Sequence, residues 1–218
     1  TRSSDLRFDN VTICATFAKA DTMLTVRVEN GTVNGQSELS VYPNSRVTAA
    51  AAAAPEGKRF AYWAVNGKAV SYEAVYMFNV TADVDLVAVY SDEAVEKTAA
   101  IVLDAASDAH ITQVNGKYSL AYSGYVLLPE GAEIEEFGLL LTGKTADECT
   151  ADTFVLGADG TARLAGSTLT EQGQLQINVN NVKAGATRTG RLYLIVKLAD
   201  GTTQTLYSET WKEMKTPA

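Results

Sequence analysis

The stretch from Pro55 to Tyr90 decides the fold. It reads PEGKRFAYW over residues 55–63, NGK over 66–68 and YMFNVTADVDLVAVY over 76–90. Residues 60–65 alternate in side-chain direction as a strand requires, and the Asn66-Gly67 pair that follows is a strong hairpin signal because both positions tolerate positive φ. The same alternation in residues 76–90 predicts two more strands, one on each side of a polar turn at residues 81–83. The stretch therefore predicts three short strands and their turns.

Trp63 is the predicted centre of this small core, because a single tryptophan in an alternating strand is usually buried. The functional alternative is a ligand platform on the surface. Tyr76, Phe78 and Val80 are predicted to share one face of a strand. After the polar turn, one face of the last strand is predicted to carry Val84, Leu86, Ala88 and Tyr90.

These residues also carry a resemblance. The pattern Pro-x-Gly-Lys-x-Phe-x-x-Trp at residues 55–63, the Gly-Lys hairpin at 67–68 and Tyr-x-Phe-x-Val-Thr-x-Asp-x-x-Leu-x-Ala-x-Tyr at 76–90 resemble the internalin-type B-repeat, also called the Listeria–Bacteroides repeat. Residues 30–32 and 41–43 fit its earlier part, so the resemblance covers about residues 23–91. It implies a small β-grasp-like module of secreted or cell-surface bacterial proteins, acting as a spacer or interaction module without catalytic residues.

The alanines at 49–54 depart from that family pattern. Alanine favours helix, but six residues before a proline cannot form a stable isolated helix. We expect a strand or a short helical turn held by packing.

A chain of 218 residues predicts two domains of about 100 residues each. We expect an N-terminal strand in 1–22, the B-repeat-like module in 23–91, a charged linker in 92–98 and a second domain in 99–218. Residues 8–18 resemble residues 81–91, a polar turn followed by Val-x-aliphatic-x-Ala-x-aromatic. The first strand is therefore either the end of a preceding repeat or an edge strand of the module that follows.

The second domain is predicted to be an antiparallel β-sandwich, so the whole chain is all-β. Period-2 alternation recurs between turns spaced 8 to 15 residues apart. It is seen at Ile101 and Leu103; Tyr118, Leu120 and Tyr122; Leu139 and Leu141; Leu175, Ile177 and Val179; and Leu192, Leu194, Val196 and Leu198.

Residues 175–207 resemble the last strands of fibronectin type III or related immunoglobulin-like domains. The pattern is an alternating strand, Val-x-Ala-Gly-Ala-Thr at 182–187, Arg-Leu-Tyr-Leu at 191–194 and the Asp200-Gly201 turn. Arg188 and Thr189 stand where an aromatic residue is common, which leaves the sandwich topology open. Domains of this kind sometimes hold an internal Lys-to-Asn amide bond, and nothing in the spacing selects such residues here.

Charge and hydropathy exclude some classes of partner. Acidic residues outnumber basic ones by 26 to 18, giving a net charge of −8, which opposes binding to nucleic acid. No apolar run reaches the roughly 18 residues of a membrane span, so no membrane insertion is expected. We expect any signal peptide or wall anchor to lie outside this sequence.

Candidate residues for chemistry are few. Cys14 and Cys149 are predicted to lie in different modules as free thiols, and the single histidine, His110, rules out a Cys/His zinc site by ligand count. Carboxylates available for glycoside hydrolysis or cation binding are Asp104, Asp108, Glu133, Glu135, Glu136, Asp147, Glu148 and Asp152. Because a small sandwich offers little cleft, we expect no catalytic, metal or cofactor site, and Asp159-Gly160 and Asp200-Gly201 are interpreted as hairpin turns.

The sequence predicts a non-catalytic, monomeric fragment of a bacterial cell-surface or secreted protein that serves as spacer and adhesion module, with a host or cell-surface glycan or protein as its partner. The alternatives are a carbohydrate-binding adhesin domain and an accessory domain of an extracellular enzyme. In the adhesin, an aromatic stacking surface would come from Tyr62, Tyr72, Tyr118, Tyr125 or Trp211.

Overall fold

The structure is a computed structural model that describes residues 22–104, 111–171 and 173–218. Its regular elements are β-strands and one turn of 3₁₀ helix, Ala146–Glu148. The all-β class predicted from the alternating pattern is confirmed. The predicted strand in residues 1–22, Cys14 and His110 all lie outside the described residues, apart from Thr22 itself.

We call strands β1–β8 the N-terminal half and strands β9–β17 the C-terminal half. The strands of the N-terminal half are β1 Leu24–Glu29, β2 Gly31–Val33, β3 Glu38–Val41, β4 Arg46–Ala51, β5 Arg59–Val65, β6 Lys68–Ser71, β7 Val75–Asn79 and β8 Val84–Ser91. Those of the C-terminal half are β9 Ala100–Leu103, β10 Ile111–Val114, β11 Lys117–Leu127, β12 Glu133–Thr142, β13 Ala162–Ala165, β14 Gln174–Val182, β15 Thr187–Lys197, β16 Thr203–Tyr207 and β17 Lys212–Lys215.

The main sheet of the N-terminal half has five strands in the order β3-β1-β8-β5-β6. Its first and last strands, β1 and β8, lie side by side and run parallel, whereas the other neighbours are antiparallel. A mixed sheet with parallel terminal strands at its centre is the β-grasp arrangement. A three-stranded sheet, β2-β4-β7, packs against it.

The core between these two sheets is centred on Trp63, which is fully buried. Its indole Nε1 donates a hydrogen bond to the carbonyl oxygen of Ala74 at 3.3 Å. The main sheet contributes Val26, Val28, Val70, Leu86 and Ala88, and the smaller sheet contributes Val33, Val47, Ala49, Tyr76 and Phe78. The predicted core role of Trp63 is confirmed, and the ligand-platform alternative is wrong because no part of the ring reaches solvent.

The hairpin between β5 and β6 turns at Asn66-Gly67, where φ is 50° and 76°. Positive φ at both positions is what the Asn-Gly pair predicts. The alanine run takes the strand alternative, since residues 49–51 belong to β4, the middle strand of its sheet.

The C-terminal half is an antiparallel sandwich. One sheet contains β9, β10, β11 and β14, and the other has the order β13-β12-β15-β16, with β17 also paired to β15. In chain order, the first sheet holds strands one, two, three and six of the half, and the second holds strands four, five, seven, eight and nine. The predicted sandwich is thus present, and the structure decides the strand order that the sequence left open.

The residues between the two sheets are those at which the sequence alternates. Leu120 and Tyr122 of β11 pack against Leu192 and Leu194 of β15, and all four are nearly or completely buried. The Asp200-Gly201 hairpin between β15 and β16 is confirmed. Asp159-Gly160 is a turn near the end of the 143–161 connection, which joins the antiparallel partners β12 and β13, so it is not the tight hairpin turn that the sequence predicted.

Candidate functional site

The contact region between the two halves contains several polar side chains that join separate sheets. We call it the junction and define it by Lys68, Tyr72, Thr81, Thr98, Asp104, Tyr125 and Glu209. It lies where β6 of the N-terminal half meets β11 of the C-terminal half, next to residues 92–99, which connect β8 to β9.

Tyr72 holds the connecting segment at its far end. Its hydroxyl donates a hydrogen bond to the carbonyl oxygen of Thr98 at 3.1 Å and accepts one from the Thr98 N–H at 3.2 Å. The ammonium group of Lys97 lies 5.4 Å from the centre of the Tyr72 ring, within the range of a cation–π contact. These contacts fix the chain two residues before β9 begins.

Thr81 and Asp104 form a second link. The Thr81 hydroxyl donates a hydrogen bond to Oδ2 of Asp104 at 2.8 Å, joining the turn before β8 to the residue after β9. Lys68 and Glu209 form a third, an ion pair, but both side chains are largely exposed. Exposed pairs of this kind contribute about 0–1 kcal/mol, so the first two links matter more.

Tyr125 supplies the apolar part of the junction. It belongs to β11, yet its side chain packs against the core of the N-terminal half, close to Tyr76. Burial raises the pKa of Tyr125 to about 12, and the negative charge of Asp104 acts in the same direction. Burial also raises the pKa of Tyr76, with a smaller contribution from Tyr125. Both phenols are thus held in their neutral form inside the contact.

The outer face of the sheet containing β12 and β15 carries a second, small core. Leu140 and Tyr193 point to this face and are covered by Cys149 and Phe154 of the 143–161 connection, with Trp211 packed beside them. Trp211 donates from Nε1 to the carbonyl oxygen of Ala146 at 3.0 Å. Trp211 therefore packs across the sheet rather than lying in a solvent-facing tail.

Arg191 anchors this second core on the outer face of the sheet. Its guanidinium donates to the carbonyl oxygens of Ser208 at 2.9 Å, Ala151 at 2.8 Å and Phe154 at 2.9 Å. The rings of Tyr207 and Trp211 lie 4.9 and 5.5 Å from its central carbon. Burial lowers the pKa of Arg191, but a guanidinium is basic enough to stay protonated in a protein. The group holds three chain segments together.

The aromatic residues considered for a glycan surface do not form one. Tyr118 is buried in the sandwich core, while Tyr72 and Tyr125 are engaged in the junction. Trp211 lies over Arg191, and Tyr62 is half-buried in β5. The most exposed tyrosine in the described ranges is Tyr42, which follows β3 and is 58% exposed.

The acidic candidates are also dispersed. Glu136 accepts hydrogen bonds from Arg163 and from the Tyr193 hydroxyl, and these bonds lower its pKa. Glu148 accepts from Thr145 in a capping box, which lowers the pKa of Glu148. Across residues 22–104, 111–171 and 173–218, no group of three His, Cys, Asp or Glu residues is placed to hold a metal ion.

An open groove of about 420 Å³ is lined by Leu141, Thr142, Gly143, Gly160, Thr161, Ala162 and Arg188. Arg188 is its one charged lining residue, and Nη1 of that side chain donates to the neighbouring Thr187 carbonyl oxygen. Small-molecule sites are usually enclosed clefts with converging polar groups, which this groove lacks.

Cys149 is a buried free thiol, as the sequence predicts, and burial raises its pKa. The lysines of the described chain are exposed or half-buried, so none lies in a sheet interior where an internal amide bond would be shielded. No helix in the described part of the chain has the length and apolar character needed to span a bilayer.

No prediction from the sequence included the junction or the small core on the outer face of the sheet, which we call the outer core. The run Leu139-Leu140-Leu141 is the one signal for the latter, because three consecutive buried residues require a strand covered on both faces.

Comparison with known proteins shows no family for this chain. No family model matches the chain, and no curated protein matches its sequence. The B-repeat resemblance thus has no support from a family model. Among solved structures, the chain is similar to the major pilin subunit of Bacillus cereus, with 12% sequence identity, a TM-score of 0.27, and coverage of 90% of this chain and 69% of the pilin. A likeness at that TM-score carries no argument about function.

Proposed function

We propose that this chain is a non-catalytic spacer and interaction module of a bacterial cell-surface or secreted protein. The observation that carries the proposal is the junction, in which Tyr72 binds Thr98 before β9 and Thr81 binds Asp104 after β9. A spacer needs a defined orientation between its parts, and such contacts supply one.

The B-repeat resemblance supports the cellular setting. Its defining residues lie in the elements that build the N-terminal core, with Trp63 in β5, Phe78 in β7 and Leu86 in β8. The division of the chain into modules at residues 92–98 is part of the proposal. So are the extracellular location, the monomeric state, and a host or cell-surface protein or glycan as partner.

The adhesin alternative has less support because the aromatic side chains that would stack on sugars are used inside the protein. Tyr118 packs in a core, and Tyr125 packs in the junction. An accessory domain of an enzyme would use the same architecture, and only the parent protein distinguishes it from a spacer.

The spacer proposal is tested by measuring the distance distribution between spin labels on the two halves. We would place labels at Lys58→Cys and Lys117→Cys, both exposed, in a Cys14→Ser background labelled under native conditions that leave buried Cys149 unreacted. One narrow distribution is expected. A broad distribution in a folded protein would contradict a spacer of fixed geometry.

A binding screen of the whole chain against glycans and host surface proteins tests the interaction part. Trp63→Ala serves as the misfolded control. Saturable binding that is lost on substituting Tyr42 would assign the chain to the adhesin class instead, whereas saturable binding unaffected by Tyr42 would support an interaction module with another surface. A blank screen would remove the interaction part and leave the spacer alone.

A further inference from the structure

The two terminal strands of the N-terminal half pair directly with each other. Strand β1 follows the described start of the chain, β8 is the last strand before the connection to β9, and they run parallel with Val26 opposite Val84 and Glu29 opposite Val87. The chain therefore enters and leaves this half through adjacent strands at the centre of one sheet.

This pairing determines how tension acts on the sheet. Tension between the two ends pulls β1 toward its own start at Leu24 and β8 toward its own end at Ser91. Because the strands are parallel, these pulls are opposed along the strand axis, and they slide one strand past the other. The hydrogen bonds between β1 and β8 then bear the force together.

Tension applied between a different pair of residues would load the hydrogen bonds of a ladder one at a time. Strands β5 and β8 are antiparallel, and Arg59 lies opposite Ser91. Tension applied between those two residues opens the ladder from one end, one residue pair after another. Unzipping in this way needs less force than sliding, because only the terminal bonds are strained at any moment.

Surrounding contacts reinforce the β1–β8 pair. The backbone N–H of Thr25 donates to Oδ1 of Asp83 at 2.7 Å, which ties β1 to the turn before β8. Val26 and Leu86 are almost completely buried, so water has little access to one face of the ladder. Hydrogen bonds shielded from water are stronger electrostatically and harder to replace during rupture.

We infer that the N-terminal half is a tension-resisting element, strongest along the line joining its own two ends. The inference rests on the proposed spacer function, since a surface spacer is the setting in which the ends of a chain are pulled apart. It adds a mechanical role that residues 24–91 carry through the β1–β8 pair.

Single-molecule force spectroscopy on the full chain tests this with one fold and two directions of pull. Anchors at Thr22→Cys and Asp92→Cys apply the force through β1 and β8, whereas anchors at Lys58→Cys and Asp92→Cys apply it across the β5–β8 pair. All three positions are exposed, and Cys14→Ser with native labelling restricts attachment to the anchors. Matching circular dichroism and melting temperatures establish that both variants fold alike.

We expect the unfolding force to be severalfold higher for the first pair of anchors. Equal forces, or a higher force for the second pair, would overturn the inference. Removing the Thr25 acceptor with Asp83→Ala is expected to lower the force for the first pair and leave the second unchanged. The unfolding forces are measured independently of the spin-label distances and the binding screen. Equal forces for the two anchor pairs would therefore leave the spacer proposal intact. A broad label distribution or a blank binding screen would likewise leave the measured difference in force intact.

Discussion

The hydroxyl of Tyr72 both donates to the carbonyl oxygen of Thr98, at 3.1 Å, and accepts from the N–H of the same residue, at 3.2 Å. One side chain thereby satisfies both polar groups of a residue that lies outside any strand. Backbone groups without a ladder partner need such a contact or water. This pair fixes the chain just before β9, where the C-terminal half begins.

Tyr72→Phe removes both hydrogen bonds and keeps the ring. We expect a broader label-distance distribution between the halves and a loss of about 0.5–1.5 kcal/mol for each hydrogen bond. Tyr62→Phe is the matched control, since the described residues show no hydrogen bond to that hydroxyl. An unchanged distribution in Tyr72→Phe would show that Tyr125 and Thr81 hold the junction without it.

Trp63→Ala empties the centre of the N-terminal core. The expected loss of unfolding free energy is about 3–5 kcal/mol, the usual effect of truncating a buried aromatic residue to alanine. Urea denaturation followed by circular dichroism measures it, and Trp63→Phe should lose less. A melting temperature equal to that of the original protein would be incompatible with the packing described.

Gly31→Ala tests the close approach of β2 to Trp63. An added Cβ would lie 2.7 Å from Cη2 of Trp63 and 2.6 Å from the carbonyl oxygen of Ala50, so the backbone or the indole must shift. Overpacking of this kind costs about 1–3 kcal/mol. Gly143→Ala is the control because its nearest neighbour is the Arg188 Nη1 at 4.0 Å. Similar stabilities for the two variants in urea would refute the predicted clash.

Arg191→Met leaves the buried carbonyl oxygens of Ser208 and Phe154, and the partly buried one of Ala151, without their donor. Each buried unsatisfied group costs about 1–3 kcal/mol, so we expect a loss of at least about 2 kcal/mol, with increased proteolysis of the 143–161 connection. Arg163→Met is the comparison, since its side chain is half exposed and its ion pair with Glu136 is worth about 1 kcal/mol or less. Equal losses in the two variants would contradict the anchoring role of Arg191.

Alkaline pH should weaken the junction through Tyr125. Its pKa is about 12 in the folded protein and 10.0 when unperturbed, so the folded state keeps a proton that the unfolded chain releases. The stabilisation is complete below pH 10 and is lost as the pH rises toward 12. Unfolding free energies measured at pH 9 and pH 11 should differ less in Tyr125→Phe than in the original protein. An identical pH dependence in both would place Tyr125 outside the contact.

Periodicity alone was sufficient for much of the fold. The alternation around Trp63, the Asn66-Gly67 hairpin, and the buried faces at Leu120 and Leu192 follow from the period of a strand and from the tolerance of Asn and Gly for positive φ. These are local properties, so each segment of sequence determines them without reference to the rest.

Tertiary structure decided which strands are neighbours. Parallel pairing of β1 with β8 joins residues about 60 positions apart, and no local pattern specifies it. The role of Tyr125 was equally invisible, because it alternates like any sandwich residue yet packs against the core of the other half. The local sequence of Arg191 also gives no indication that the 143–161 connection covers its side chain. Side-chain alternation is set by the backbone of a single strand. The contacts in the junction and the outer core instead depend on how separate segments come together, so only the tertiary structure determines them.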